Sequence, residues 1–142
     1  MSVKPLFSEG DIFGAYRAVR RLGKGGMGEV WLMASIENGV QVAVKILNPE
    51  DASDHEARKR FVREAELAMG VQDENLVEVY DVGEDPDTGL CYIIMEYVSG
   101  GTLAEYIEEN GALPIGDAVL IVHAMASVLE KAREKGIVHR DI

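Results

Sequence analysis

The sequence reads Gly23-Lys24-Gly25-Gly26-Met27-Gly28-Glu29-Val30 at the centre of residues 16–47. Glycines occupy the first, third and sixth positions of this string, and a valine occupies the eighth. Glycine has no Cβ atom, so its backbone N–H groups can line a concavity that a side chain would fill. The pattern alone is compatible with two structures, the strand–helix turn of a nucleotide-binding fold and the turn of a β-hairpin.

The residues after the glycines favour the hairpin. Apolar side chains alternate with small or polar ones at Val30, Leu32, Val40, Val42, Val44 and Ile46. This period of two is typical of strands, whereas a dinucleotide-binding turn leads directly into a helix. Asn38-Gly39 lies between the two runs and is a strong signal for a tight two-residue hairpin turn. Residues 16–21 also alternate, so we predict three antiparallel strands, with Lys45 on the third, beneath the glycine loop.

Composition limits the class of protein. The 142 residues carry 47% hydrophobic and 27% charged residues, which predicts one soluble globular domain. The net charge of −11 argues against a nucleic-acid-binding surface and requires any phosphate site to be local. The single cysteine, Cys91, cannot form an internal disulfide, and this fits a reducing compartment. No apolar run approaches the ~20 residues that span a bilayer, and residues 1–10 do not resemble a signal peptide.

A helix is predicted after the third strand. Ser53 and Glu56 have capping-box spacing, and the helix should continue to Met69 and end at Gly70. Its core face would carry Ala57, Phe61, Glu64, Ala65 and Ala68. An acid among apolar neighbours is the informative feature of this face.

Lys45 and Glu64 are the two charges that sit among apolar neighbours. Glu64 could be a surface acid beside arginines, and Lys45 could extend from a strand end to solvent. Alternatively, a semi-buried carboxylate needs a cation, because burial without one costs several kcal/mol. We predict that Lys45 and Glu64 form an ion pair.

The rest of the chain predicts two more strands and two helices. Residues 76–82 alternate, residues 91–98 are mostly apolar, and residues 85–89 have turn composition, which gives five strands in total. Thr102 and Glu105 form a second capping box before a short helix. A long helix should run from Pro114 to Lys135 and stop at Gly136. Its apolar stripe is predicted to comprise Ala118, Val122, Met125, Leu129 and Ala132.

The chain ends with Ile137-Val138-His139-Arg140-Asp141-Ile142. Together with the glycine loop, Val42-Ala43-Val44-Lys45 and Glu64, this sequence resembles the protein kinase signature in order and spacing. The glycine loop, the acidic composition and residues 79–84 are most similar to bacterial serine/threonine kinases of the eukaryotic-like type. The resemblance covers roughly residues 11–142 and only the front half of that family's domain.

The resemblance implies a role for each matching residue. Gly23, Lys24, Gly25, Gly26, Met27, Gly28, Glu29 and Val30 would cover the phosphates of ATP, with Leu22 and Val30 above the adenine and Ala43 lining the same apolar slot. Lys45, oriented by Glu64, would hold the α- and β-phosphates. Met95 would guard the back of the pocket, and the backbone of Glu96, Tyr97 and Val98 would hydrogen-bond the adenine. Asp141 would be the catalytic aspartate, His139 a structural residue, and Arg140 the partner of a phosphorylated activation loop.

The resemblance also implies residues that are not among these 142. The family's magnesium-binding asparagine, its Asp-Phe-Gly motif and its activation loop would all follow Ile142, so no metal ligand is expected within this chain. We therefore expect negligible kinase activity from these residues alone. We also expect self-association through the exposed helix at residues 114–135.

The resulting prediction is an α+β fold of the protein kinase type. Residues 1–14 would be a lead-in, in which Phe7 and Phe13 could pack on the domain surface. Residues 15–98 would be the ATP-binding lobe with a five-stranded sheet and one packed helix, and residues 99–142 the start of an incomplete helical lobe. The predicted function is the ATP-binding portion of a serine/threonine kinase, with ATP, Mg²⁺ and a protein Ser/Thr substrate as its partners. No nucleic acid and no membrane segment are expected, and the location would be cytoplasmic, or a cytoplasmic domain of a longer, membrane-anchored protein. Two alternatives are a non-catalytic nucleotide-binding or partner-docking fragment and a plain interaction domain without nucleotide.

Overall fold

The computed structural model describes residues 4–137, which form two compact units. The first unit contains the residues up to Met69 together with Val77–Tyr97. The second contains Gly70–Leu76 and the residues from Val98 onward. Each unit is described by itself.

The first unit is built on an antiparallel sheet in which, within residues 4–137, six strands are ordered β1-β2-β3-β4-β6-β5. Two helices, α1 and α2, connect β4 to β5. The strands and helices of this unit are β1 Ile12–Phe13, β2 Tyr16–Lys24, β3 Gly28–Ser35, β4 Gln41–Leu47, α1 Pro49–Ala52, α2 His55–Gly70, β5 Val79–Glu84 and β6 Cys91–Glu96.

The two faces of the sheet bury different cores. The face that we call the outer face carries a cluster of buried side chains from five strands: Phe13, Ala18, Trp31, Met33, Val42, Val44, Ile46 and Ile94. On the opposite face, which we call the helix face, Phe61 and Ala65 of α2 pack against Leu47, Cys91 and Ile93. Burying a side chain of the size of Phe61 stabilises a fold by about 1.5–3 kcal/mol, so α2 is held on the sheet by its apolar stripe.

The predicted α+β class is confirmed, but the predicted number of five strands is wrong. The additional strand, β1, comes from the segment expected to be a lead-in, and it pairs Phe13 with Tyr16. Phe13 is 5% exposed and belongs to the outer core, because its ring packs edge-on against Tyr92 at 5.6 Å. A two-residue strand is too short to show a period of two, and so the sequence pattern did not reveal it.

The β3–β4 turn is longer than the predicted two-residue hairpin. Ser35 N–H donates to the Val40 carbonyl at 2.9 Å, which leaves four residues between the closing pair. Asn38 and Gly39 still have turn functions: the Asn38 side chain accepts a hydrogen bond from the Val40 N–H at 3.0 Å, and Gly39 has φ +73°. The prediction failed because an Asn side chain can also bond its own backbone two residues on in a longer loop.

Helix α2 begins one residue later than predicted, and the Ser53–Glu56 capping box is wrong. The hydroxyl of Ser53 donates to the Glu50 carbonyl at 2.9 Å, at the end of the short helix α1. Asp54 caps α2 instead, since its carboxylate accepts from the Glu56 N–H at 3.0 Å and its carbonyl accepts from the Arg58 N–H. Both Ser and Asp are good N-caps. Pro49 favours the start of a helix, so α1 forms first in the chain and Ser53 becomes its C-cap, which leaves Asp54 to cap α2.

The second unit contains helices α3, Leu103–Asn110, and α4, Ile115–Glu134. The predicted capping box of α3 is confirmed, with Thr102 Oγ1 accepting from the Glu105 N–H at 3.1 Å. The predicted stripe on α4 is only partly buried, because Ala132 is buried whereas Val122 is 65% exposed. Lys131 of α4 donates to Asp73 at 2.5 Å and so ties the helix to Gly70–Leu76. In the part of the chain that the structure describes, no helix is both long and apolar enough to cross a bilayer.

Candidate functional site

The glycine loop is the turn between β2 and β3, as the sequence predicted. Gly25 N–H donates to the Gly28 carbonyl at 2.8 Å and closes the turn. A Cβ atom built on Gly28 would lie 2.0 Å from the carbonyl oxygen of Ile46. Gly28 is therefore required by the close approach of β3 to β4.

The other loop glycines lie in open space. Cβ atoms built on Gly23 and Gly26 would have no neighbour within 4 Å, and one on Gly25 would meet only Gly28 at 4.0 Å. These three glycines have no positive φ either, so neither backbone strain nor internal packing requires them. Bare backbone at these positions leaves room for a ligand to approach the loop.

Lys45 and Glu64 meet on the helix face of the sheet. Lys45 Nζ donates to Glu64 Oε1 at 3.0 Å, which confirms the predicted pair. The expectation that Glu64 is semi-buried is wrong, because its side chain is 63% exposed, whereas that of Lys45 is 28% exposed. An exposed pair of this kind adds about 0.2–1 kcal/mol to stability. The pair therefore contributes little to the stability of the fold.

Lys45 also lies next to the glycine loop in the sheet. It is paired in register with Val30, at the end of the loop, and strand alternation places Ala43 on the same face. Ala43 is in turn paired with Met95 of β6, which packs partly buried against the core of the helix face. Val30, Ala43, Lys45 and Met95 thus form one contiguous surface, while Leu22 is half-buried near the end of β2.

Glu96 is the last residue of β6, and Tyr97 and Val98 follow it in the chain. The Glu96 N–H already donates to the Glu78 carbonyl at 2.8 Å, and the Tyr97 hydroxyl accepts from Arg20 at 3.3 Å. Val98 is 63% exposed and belongs to the second unit. Any adenine contact at this segment would have to use backbone groups other than the Glu96 N–H.

The other loop side chains point in different directions. Lys24 is exposed, whereas Met27 is half-buried and packs against the core of the helix face. Glu29 is buried on the outer face at 1% exposure. Burial would raise the pKa of Glu29, but hydrogen bonds from Trp31, Leu6 and Arg21 outweigh it, so the pKa lies below its usual value.

Asn48 also holds the loop, although the sequence did not single it out. Asn48 N–H donates to the Met27 carbonyl at 2.8 Å, and its side-chain amide donates to the Gly26 carbonyl at 3.4 Å. The position of Asn48 was a usable signal. In a β3–β4 hairpin the residue after β4 lies beside the residues before β3, which are those of the glycine loop.

His139, Arg140 and Asp141 lie outside the described residues. Within residues 4–137, no three His, Cys, Asp or Glu side chains are grouped as they would be around a metal ion. The expected Mg²⁺ ligands beyond residue 142 stay a prediction.

Comparison with known proteins identifies the family. The sequence profile described as "Protein kinase domain" matches residues 16–142. The chain belongs to the protein kinase family. The kinase profile begins at β2, so it includes the glycine loop, Lys45 and Glu64 but not the segment that forms β1.

Two similar proteins are bacterial serine/threonine kinases. The serine/threonine-protein kinase PrkC of Bacillus subtilis is 44% identical over 131 residues, which are 92% of this chain and 20% of that protein. PknI of Mycobacterium tuberculosis is 36% identical over 137 residues, 95% of this chain and 23% of that protein. The crystal structure of the PknI kinase domain matches with a TM-score of 0.79 and 36% identity, over 96% of this chain and 54% of that one. The chain thus spans about a fifth of these relatives and about half of a solved kinase domain.

Proposed function

We propose that this chain forms the ATP-binding front part of a serine/threonine protein kinase domain. In the complete domain, the γ-phosphoryl group of ATP would pass to a Ser or Thr hydroxyl of a protein substrate. The observation that carries the proposal is the Lys45–Glu64 pair at 3.0 Å, on a surface continuous with the end of the glycine loop. The names of the bacterial relatives support the substrate class.

The chemistry needs little beyond positioning and charge neutralisation. The open backbone at Gly23, Gly25 and Gly26 would take the phosphates, and the Lys45 ammonium, oriented by Glu64, would neutralise the α- and β-phosphates. Mg²⁺ would supply further neutralisation of the phosphate charge through ligands beyond residue 142. In a chain with net charge −11, such local cations are needed to hold a polyanion.

The transfer itself would use Asp141. The substrate hydroxyl oxygen bonds to the γ-phosphorus as the bond to the β–γ bridging oxygen breaks, and ADP leaves with that electron pair. The hydroxyl proton passes to the Asp141 carboxylate. Because these 142 residues span about half of a solved kinase domain, we expect them to bind ATP but to transfer phosphate negligibly by themselves.

A nucleotide titration tests the proposal. Lys45→Met should weaken the binding of Mg·ATP by at least about tenfold, because it removes the cation for the phosphates. Lys59→Met is the matched control, since Lys59 is an exposed lysine of α2 and its loss changes the net charge equally. ATP affinity that is the same in both variants would contradict the proposal.

A further inference from the structure

The side chain of Glu29 is a charge buried away from the candidate nucleotide surface. Glu29 follows Gly28 directly on β3, and alternation places it on the outer face with Trp31 and Met33, opposite Val30. Its exposure is 1%, and a buried carboxylate is tolerated only when its oxygens are well satisfied.

Two of the three donors to this carboxylate come from outside the strand. Trp31 Nε1 donates to Oε2 at 2.8 Å, within β3 itself. The backbone N–H of Leu6 donates to the same oxygen at 2.9 Å, and Arg21 Nη1 of β2 donates to Oε1 at 3.3 Å. The Leu6 bond crosses 23 positions of sequence, so Glu29 is anchored by the start of the chain.

We call residues 4–13 the N-terminal clasp. Besides the Leu6–Glu29 hydrogen bond, aromatic contacts and backbone hydrogen bonds hold the clasp on the outer face. The Phe7 ring packs edge-on against Phe13 at 5.3 Å and against Trp31 at 5.6 Å. Gly10 N–H donates to the Ala18 carbonyl, and Ala18 N–H donates to the Asp11 carbonyl, both at 2.8 Å. The clasp precedes the kinase-family match, which begins at residue 16.

Glu29 lies where both ends of the glycine loop enter the sheet. It is paired with Lys24 on β2 and with Ile46 on β4. The adjoining Gly28 lies against the Ile46 carbonyl, so the backbone there has little room to adapt. We therefore expect a displacement of Glu29 to move the loop.

We propose that Glu29 is a positioning residue for the glycine loop and that docking of the N-terminal clasp holds it in place. The inference rests on the proposed function, in which the loop covers the phosphates of ATP. Loss of the clasp weakens binding of the phosphates and leaves binding of the nucleoside unchanged. A role in overall stability alone would move both affinities together.

Isothermal titration of the full chain with Mg·ATP and, separately, with adenosine tests this difference. Phe7→Ala and Glu29→Ala are each expected to weaken ATP binding by about three- to tenfold, with adenosine affinity changed by less than about twofold. Tyr80→Ala and Glu37→Ala are the matched controls, because both residues are exposed members of the same unit. Both controls should bind ATP and adenosine as the unchanged chain does.

The double variant adds a second criterion. Because Phe7 and Glu29 act through one docked segment, the loss in the Phe7→Ala, Glu29→Ala chain should be close to that of the stronger single variant, not the product of the two. Glu29→Gln and Phe7→Leu are the milder pair to use if either alanine variant fails to fold. Gln can still accept from Trp31 and Leu6, so about a twofold loss of ATP affinity is expected.

The outcomes separate this inference from the proposed function. If Lys45→Met weakens ATP binding but every clasp variant binds ATP like the unchanged chain, the inference is wrong and the proposed function stands. Equal losses for ATP and adenosine would also overturn the inference, since they indicate a general structural role. A chain that does not bind ATP at all would overturn both.

Discussion

Gly28 and Ile46 are in contact through their backbones, at a distance that allows no side chain between them. A Cβ atom at position 28 would lie 2.0 Å from the Ile46 carbonyl oxygen and 2.9 Å from its carbonyl carbon. Gly26, two residues earlier in the same loop, has no neighbour within 4 Å. Gly28 is therefore required by packing within the sheet, whereas Gly26 is not.

The first prediction follows from this difference. Gly28→Ala should lower the free energy of unfolding by about 1–3 kcal/mol, because the backbone of β4 must move to accept the methyl group. Gly26→Ala should change it by less than about 0.5 kcal/mol. Urea denaturation followed by circular dichroism measures both, and equal stability of the two variants would show that the contact is absent in solution.

The second prediction concerns the role of Glu64. Glu64→Gln should change stability by less than about 1 kcal/mol, because the Lys45–Glu64 pair is largely exposed. ATP affinity should nevertheless fall by about three- to tenfold, because the Lys45 ammonium loses the group that orients it. Glu66→Gln, at another exposed position of α2, is the control. If the Glu64→Gln and Glu66→Gln variants bind ATP with the same affinity, Glu64 does not contribute to the nucleotide site.

The third prediction is a pH dependence caused by Glu29. Its folded-state pKa lies below the ordinary 4.5, so its carboxylate stabilises the fold above that value, and this contribution disappears as the pH falls through the lowered folded value. The stability lost in Glu29→Gln should thus be largest near neutral pH and should shrink steadily below about pH 4.5. Unfolding free energies measured from pH 7 to pH 3 test this, and a difference that stays constant over that range would refute the assignment.

The fourth prediction concerns helix α4. Ile115, Val119 and Val122 lie on one side of the helix and are 84%, 60% and 65% exposed. A contiguous apolar surface of this kind drives association. The 142 residues by themselves should therefore sediment as dimers or larger species at micromolar concentration, and Val119→Gln with Val122→Gln should shift them toward monomer. A monomer before any substitution would contradict this.

The periodic parts of the chain were predictable from sequence. The alternation from Val30 to Ile46 gave β3 and β4, and the two misplaced charges gave the Lys45–Glu64 contact. The kinase-like motifs gave the family that the profile match confirms. In each case several residues of the sequence indicate the same structure, so the prediction does not depend on any single residue.

Features that depend on distant contacts were not predictable. The β1 strand depends on Tyr92, which packs against Phe13 from far along the chain, and two residues leave no periodicity of their own. Packing of Phe7 and Phe13 on the domain was expected, but their partners Trp31 and Tyr92 could not be named from the sequence. Glu64 was expected to be semi-buried because sequence places it beside apolar neighbours, but an acid at the edge of a helix stripe can reach solvent. The sequence pattern did not predict helix α1. Ser53 bonds to the end of α1, so Asp54 and not Ser53 caps α2.

The most direct test of the account is amide hydrogen exchange with and without saturating Mg·ATP, because it locates the nucleotide on the chain. We predict that exchange slows at residues 23–30 and stays unchanged at residues 36–40, the β3–β4 turn, and that Lys45→Met abolishes the protection. If saturating ATP leaves residues 23–30 unprotected, the glycine loop is not the phosphate site and the proposed function is wrong.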